Sequence, residues 1–209
     1  ITKFFSPHLR ERLLRLRREL HQQPELGFDL PWTSNRVKQE LNDIGITDIQ
    51  HVAETGLIAR IPGTNPSAPA IAIRGDMDAL PIQEDTGFAW ASETDGQMHA
   101  CGHDVHTTWT IGAACLLLEN TPPQDVFLIF QPAEEIAQGA KAMLESGSFP
   151  EVSAIFGGHV DRAFAVGEVV AQEGAIGASA DNFTITLTGR AAHGARPHQG
   201  IDPIIGATA

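Results

Sequence analysis

The stretch Val126-Phe127-Leu128-Ile129-Phe130-Gln131-Pro132-Ala133-Glu134-Glu135 decides how the rest of the chain is read. Its first half is wholly apolar, as strands buried on both faces of a parallel sheet are, and it runs directly into two adjacent carboxylates. Working outward, the same arrangement recurs twice. Ala70-Ile71-Ala72-Ile73 is an apolar run that delivers Arg74-Gly75-Asp76-Met77-Asp78-Ala79, and Ala154-Ile155-Phe156 runs into Gly157-Gly158-His159. Helical stretches from about Val105 to Leu118 and from about Ala137 to Leu144 alternate with these strands. The alternation predicts an α/β domain whose mostly parallel central sheet is flanked by helices on both faces.

Nearer the start, Leu9, Leu13, Leu16 and Leu20 recur at three- and four-residue steps and predict an amphipathic helix leading to His21. Ser34 is a candidate cap for a second helix with apolar positions Val37, Leu41 and Ile44, stopped by Gly45. Short strands are expected at Ile49 to Val52 and Gly56 to Ile61, and residues 82–98 read as a long polar loop, a length that suggests function. After His159 the pattern changes. Val169-Val170 and the alternating Phe183-Thr184-Ile185-Thr186-Leu187 suggest strands of a second domain beginning near Ala180, which divides the chain into 1–179 and 180–209. Ile201-Asp202-Pro203 opens a helix, and the apolar run through Ala209 has no stop signal, so the chain is expected to be part of something longer.

Bulk properties exclude several classes. With 26 acidic against 14 basic residues the 209-residue chain carries a formal charge of −12 and would repel a phosphate backbone, so nucleic acid is not an expected partner. No apolar stretch is long enough to span a membrane. Two cysteines, Cys101 and Cys115, are too few for a disulfide framework and suit a reducing cytoplasm. There is no phosphate-binding glycine loop and no G-x-S-x-G elbow.

The polar residues of interest follow the apolar runs, where loops at the strand ends of an open α/β sheet converge on ligands. His99-Ala100-Cys101-Gly102-His103-Asp104-Val105-His106 places three histidines and a cysteine within eight residues, soft and borderline donors suited to a transition metal. A buried cysteine beside turn histidines is the plainer reading. Glu134 and Glu135 need a reason to lie together against a buried sheet: a divalent cation for one and a proton-carrying role for the other, or else a solvated pair ahead of the next helix. His159 is a ligand or a structural hydrogen-bonder; Asp76 and Asp78 orient a ligand or cap a turn. A cysteine hydrolase using Cys101 with His103 or His106 is a competitor, although it leaves Glu134, Glu135 and His159 without a role.

Across nearly the whole chain these motifs resemble the two-metal aminoacylase, carboxypeptidase and amidohydrolase family. The likeness is to the branch of hippurate hydrolase, auxin-conjugate (indole-acetyl amino acid) hydrolases and N-acyl-amino-acid amidohydrolases. It rests on Arg18-Glu19-Leu20-His21 with Pro24-Glu25, Arg74 to Pro81, His99 to His106, Gln131 to Glu135, Gly157-Gly158-His159, and Gly189 to Gly200. The resemblance implies a zinc-exopeptidase-like catalytic domain followed by the beginning of an α+β lid and dimerisation domain. It also implies two divalent ions (zinc, manganese, cobalt or nickel) bound by Cys101, His103, Glu135 and His159, with Cys101 shared between them. Glu134 is then the general base acting on a metal-bridged water, Asp78 supports a ligand, and His193 reaches from the lid into a partner's site. The implied reaction is hydrolysis of the amide bond of N-acyl amino acids by a cytoplasmic homodimer. The implied last histidine ligand lies beyond Ala209. The alternative is a non-catalytic truncated relative serving as a binding or structural module.

Overall fold

The computed structural model describes residues 5–175, 179 and 183–208. The chain divides into two compact units, Ile1–Gly167 and Glu168–Ala209.

In the first unit, α1 (Pro7–Gln22) begins where Ser6 accepts the N–H of Leu9 and Pro7 sets the first turn, and it buries Leu9, Leu16 and Leu20 as the leucine spacing predicts. Helix α2 (Pro31–Asp43) starts three residues before the expected cap. Ser34 lies inside it, and the acceptor is instead the Glu25 carboxylate, which takes the N–H groups of Trp32 at 3.0 Å and Thr33 at 2.8 Å. A carboxylate reaching in from the preceding turn satisfies the free amides and opposes the positive end of the helix dipole, so no local hydroxyl cap is needed.

Strands β1 (Ile49–Val52), β2 (Gly56–Ile61), β3 (Ile71–Asp76), β4 (Val126–Gln131) and β5 (Ala154–Gly157) form one sheet in the order β1-β2-β4-β3-β5. The expected parallel arrangement holds for β3, β4 and β5, while β1 and β2 join antiparallel. The three residues Ala53 to Thr55 between β1 and β2 allow only a hairpin, tightened by positive φ at Ala53 and Glu54. Alternation along β4 feeds two cores. Val126, Leu128 and Phe130 pack with residues of α1, α2 and helix α3 (His103–Glu119), whereas Ile129 joins Val52, Ile58, Ala72 and Met143 of helix α4 (Gly139–Glu145) on the opposite face. The edge strand β5 is the exception to the expected cover: Ile155 and Phe156 are exposed, and no described element lies outside them.

Register matters most for the site. Asp76 pairs with Gln131, so β3 and β4 end level, and Gly157 at the end of β5 pairs with Arg74, two residues short of the end of β3. Gly75 lets α3 approach β3 closely, since a Cβ there would lie 2.6 Å from the carbonyl oxygen of His106.

In the second unit, Arg190 and Ile201 pair through an isolated antiparallel bridge, Pro197–Gln199 forms a 3₁₀ turn, and α5 (Pro203–Ala207) starts at the expected place with Asp202 as cap. The expected strands at Val169-Val170 and Phe183–Leu187 do not form. Alternation sorts side chains onto two faces, but a strand also requires a ladder partner, and none is present among the described residues. The expected boundary at Ala180 lies outside the described residues.

Candidate metal centre

Asp78, Glu134 with Glu135, and His159 follow the ends of β3, β4 and β5, whereas Cys101 and His103 stand at the start of α3. Two residues past β3, the buried Asp78 carboxylate accepts the backbone N–H of Glu134 at 2.9 Å and of Glu135 at 3.1 Å. That pair of bonds fixes the turn after β4, in which Ala133 and Ala137 hold positive φ values of 52° and 54°, strained for residues with a Cβ. The strain is offset by the N–H of Ala133 donating to the carbonyl of Gly27 and by the Ala133 carbonyl accepting from Gln138 and Gly139. Gly102 (φ +90°) lies at the start of α3, where any side chain would meet Val160, and it turns the chain so that Cys101 and His103 face the same region.

His103 is the centre. It is 1% exposed, and its Nε2 lies 3.6 Å from Asp76, 3.7 Å from Glu134 and 3.6 Å from Glu135, with its Nδ1 3.5 Å from Asp78. Neither ring nitrogen of His103 has a hydrogen-bond partner, nor does Oε1 of Glu135. Ligand atoms of Cys101, His103 and His159 lie within 4.8 Å of one another, as do those of His103, Glu134 and Glu135. Cys101 Sγ is 3.3 Å from His159 Nε2, while His159 Nδ1 donates to the carbonyl of Val160 at 2.6 Å. The second ring nitrogen of His159 is thereby free to face the thiol.

The electrostatics run one way. Burial, reinforced by Glu135, Glu134 and Asp76, pushes the Cys101 thiol up to about 12. Burial, with Glu134 and Asp78 adding to it, raises Glu135 against the pull of His103. Burial opposes a charge on His103, but Asp78, Asp76 and Glu135 outweigh it and raise its pKa. The cluster is short of positive charge. Orphaned buried donor atoms beside crowded carboxylates and a thiol fit divalent metal, which supplies that charge and takes lone pairs from all three donor types. The same surroundings oppose a free cysteine nucleophile, which needs a positive neighbourhood to ionise.

A third set, Asp76, His103 and His106, also has ligand atoms within 4.8 Å. Here both ring nitrogens of His106 are engaged: Nδ1 is 2.7 Å from Asp76, and Nε2 accepts the N–H of Val160 at 3.0 Å. Asp76 is further held by Arg74 at 2.6 Å, and against burial His106, His103 and Arg74 together keep its carboxyl low. Within this set His106 is fully engaged by protein partners, whereas both ring nitrogens of His103 have no hydrogen-bond partner, nor does Oδ2 of Asp76 beyond its ion pair with Arg74.

Sequence reasoning gave no role to a buried network behind the site. Asp104 accepts from His21 at 2.7 Å and Arg17 at 2.9 Å, and His21 lies 3.3 Å from Glu84, which takes the N–H of Ser92 in the loop of residues 82–98. Its sequence signals were the acid adjacent to His103 and the position of His21 in the Arg18-Glu19-Leu20-His21 motif. A cavity of about 570 Å³ adjoins Cys101 and His159, with Phe88, Met98, Val105 and Val160 among its walls. His99 also lines it, and burial pulls its pKa down to about 4. His193 belongs to the second unit, where its Nδ1 accepts the N–H of Ala195 at 3.1 Å.

Fold and site together define an α/β protein with a cation-seeking cluster of thiol, imidazole and carboxylate groups at the ends of parallel strands. The sequence profile described as Peptidase family M20/M25/M40 matches residues 72–198, and the chain belongs to that family. It is 46% identical over 200 residues to an N-acetylcysteine deacetylase of Bacillus subtilis (strain 168), covering 94% of this chain and 52% of the relative. It is 44% identical over 195 residues to the IAA-amino acid hydrolase ILR1-like 5 of Arabidopsis thaliana, covering 92% and 44%. The crystal structure of the Bacillus subtilis YXEP protein, titled a dinuclear metal binding peptidase from the M20 family, superposes with a TM-score of 0.72 at 46% identity. That match covers 75% of this chain and 44% of the other. The chain thus spans about half the length of these curated relatives. No helix among the described residues is long and apolar enough to cross a membrane.

Proposed function

We propose that the protein carrying this chain hydrolyses the amide bond of N-acyl amino acids, releasing a carboxylic acid and a free amino acid. The observation that carries the reading is the buried His103, ringed by carboxylates and a thiol, with no hydrogen-bond partner of its own. Cys101, His103, Glu135 and His159 would hold two divalent ions of the zinc, manganese, cobalt or nickel kind, Cys101 being shared. When bound, such ions polarise an amide carbonyl and acidify water at neutral pH.

The chain's own groups do the rest. Glu134 is 41% exposed against 19% for Glu135, so of the two carboxylates it is the one open to solvent and substrate. It takes the proton of the attacking water and returns it to the departing amine, so the carboxylate is regenerated in each turnover. Asp78 holds the two backbone amides and fixes the separate directions of the paired side chains. The apolar walls beside Cys101 and His159 suit the acyl group. His193, supplied from a second copy of the chain through the lid formed from residue 180 onward, stabilises the developing oxyanion. The names of the deacetylase and hydrolase relatives support this substrate class, and two free thiols suit a reducing cytoplasm.

The test is turnover of acetyl, benzoyl and indole-acetyl amino acids by the whole protein, with and without chelator, in parallel with Glu134→Gln. The expected result is chelator-sensitive turnover and a loss of about 10²–10⁴-fold in kcat in the variant at unchanged metal content. Turnover that survives the chelator, or a mild loss in the variant, overturns the reading.

A further inference from the structure

One residue of the histidine-rich motif is buried beside the metal centre without facing it as a ligand. His106 is 1% exposed, and both of its nitrogens are spoken for. Asp76 accepts at 2.7 Å on the Nδ1 side, and the N–H of Val160 donates to Nε2 at 3.0 Å. These partners place the ring proton on Nδ1 and the lone pair on Nε2. A ring so occupied has no lone pair left for a cation, which sets His106 apart from His103, whose nitrogens are both unpartnered.

Val160 follows His159, whose ring also meets the His106 ring edge-on, with centroids 4.6 Å apart. The carbonyl of Val160 accepts from His159 Nδ1 at 2.6 Å and thereby aims Nε2 toward Cys101. The side chain of Val160 fills the space beside Gly102, where no Cβ fits. Trp109 stacks on His106 with ring centroids 4.7 Å apart and packs against Gly158 on the other side of His159. Among the described residues, the Val160 N–H is tied to the rest of the domain by its hydrogen bond to His106, and His106 is anchored in turn by Asp76, which Arg74 holds near the end of β3. β5 is an exposed edge strand with little packing to hold the segment that follows it.

We infer that His106 is a positioning residue: it passes the anchorage of Asp76 to the backbone of Val160 and so sets the orientation of His159 as a metal ligand. The inference rests on the metal-centre reading of Cys101, His103 and His159, and it concerns a residue that would touch neither metal nor substrate. Asp76 and His106 then work as a rigid strut between β3 and the loop after β5. This accounts for a buried carboxylate–imidazole pair lying next to the centre but outside it.

The test separates the two hydrogen bonds. His106→Asn keeps a donor toward Asp76 at the Nδ1 position but offers Val160 no acceptor. His106→Gln restores an acceptor near the Nε2 position, and His106→Phe keeps the stacking on Trp109 with neither bond. Cobalt(II) is titrated into the full chain, the thiolate-to-cobalt absorption reports Cys101 ligation, and affinity is read by competition with a chelator. Amide exchange at Val160 is measured in the metal-free chain. Loss of a partner that orients a ligand lowers affinity by about 10–100-fold, which is expected for His106→Asn and His106→Phe, with partial recovery in His106→Gln, which restores the bond to Val160 but not the one to Asp76. The Val160 amide should exchange faster in the Asn and Phe variants while β4 amides keep their protection. Wild-type affinity and Val160 protection in His106→Asn would overturn the inference, as would a Gln variant as weak as Phe. A wild-type chain that gives no thiolate–cobalt absorption overturns the metal centre itself, a different outcome.

Discussion

Two of the clusters of buried charge in the first unit are built on opposite principles. Between α1 and α2, Glu40 is 2% exposed yet is held by Arg12 and by Arg36, which also reaches Glu19 at 2.8 Å. Burial alone would raise the Glu40 carboxyl, but the two guanidinium groups outweigh it and bring the carboxyl below its ordinary range. At the strand ends, four carboxylates and a thiol surround one imidazole, and the carboxyl of Glu135 moves up instead of down. The first cluster closes its own charge balance and belongs to the fold. The second is left open, and a group from outside the chain is what completes it.

The contrast is broken most forcefully at Cys101. Cys101→Ser should lower affinity for zinc or cobalt by at least about 100-fold, beyond the 10–100-fold cost of losing an orienting partner, with metal content read by elemental analysis. Unchanged occupancy would mean that the open cluster is completed without the thiolate. On the closed side, Glu40→Ala leaves two arginines facing one another and should destabilise the domain by about 3 kcal/mol in chemical denaturation, without changing metal affinity. A smaller effect is expected from Glu135→Gln in the metal-free protein. Folding already disfavours that charge, so removing it should leave stability within about 1 kcal/mol of wild type, or raise it, while metal binding collapses. A large loss of apo stability would show that the centre is balanced after all.

The smallest signal is in the pH dependence. The folded-state pKa of Glu40 lies below its ordinary value of 4.5, so its stabilisation is fully present above that value and is lost as pH falls through the folded pKa. For Glu135 the sign reverses. Its raised folded pKa means that the penalty is absent at low pH and grows as pH rises through 4.5 and beyond. Difference curves of wild type minus Glu40→Gln and wild type minus Glu135→Gln should therefore slope in opposite directions.

Much of this was legible in the sequence where one physical rule acts alone. The leucine spacing of α1 and the apolar run of β4 each report a single buried face. Legibility failed where a partner distant in sequence decides the outcome. Ser34 looked like a cap, but Glu25 from the preceding turn performs that role for α2. Phe183–Leu187 alternates as strands do, yet alternation cannot supply a neighbour to pair with. The antiparallel entry of β1 and β2 follows from a turn too short for a crossover, a feature countable in the sequence but masked by the parallel pattern around it. In the site, Cys101, His103, Glu134, Glu135 and His159 stood out because soft donors and paired acids are costly near a buried sheet. His106 did not stand out as different, because a histidine that ligates and one that positions a loop look identical until the Val160 amide is found against its ring.

The central claim is that the open cluster is a metal centre built on Cys101, His103, Glu135 and His159. Crystals grown with cobalt or zinc and measured on both sides of the metal's absorption edge test it most directly. The account predicts anomalous peaks bonded to Cys101 Sγ and to imidazole nitrogens of His103 and His159, with Asp76 and His106 still bonded to each other. A metal peak on Asp76 and His106, or none within bonding distance of Cys101, would contradict it.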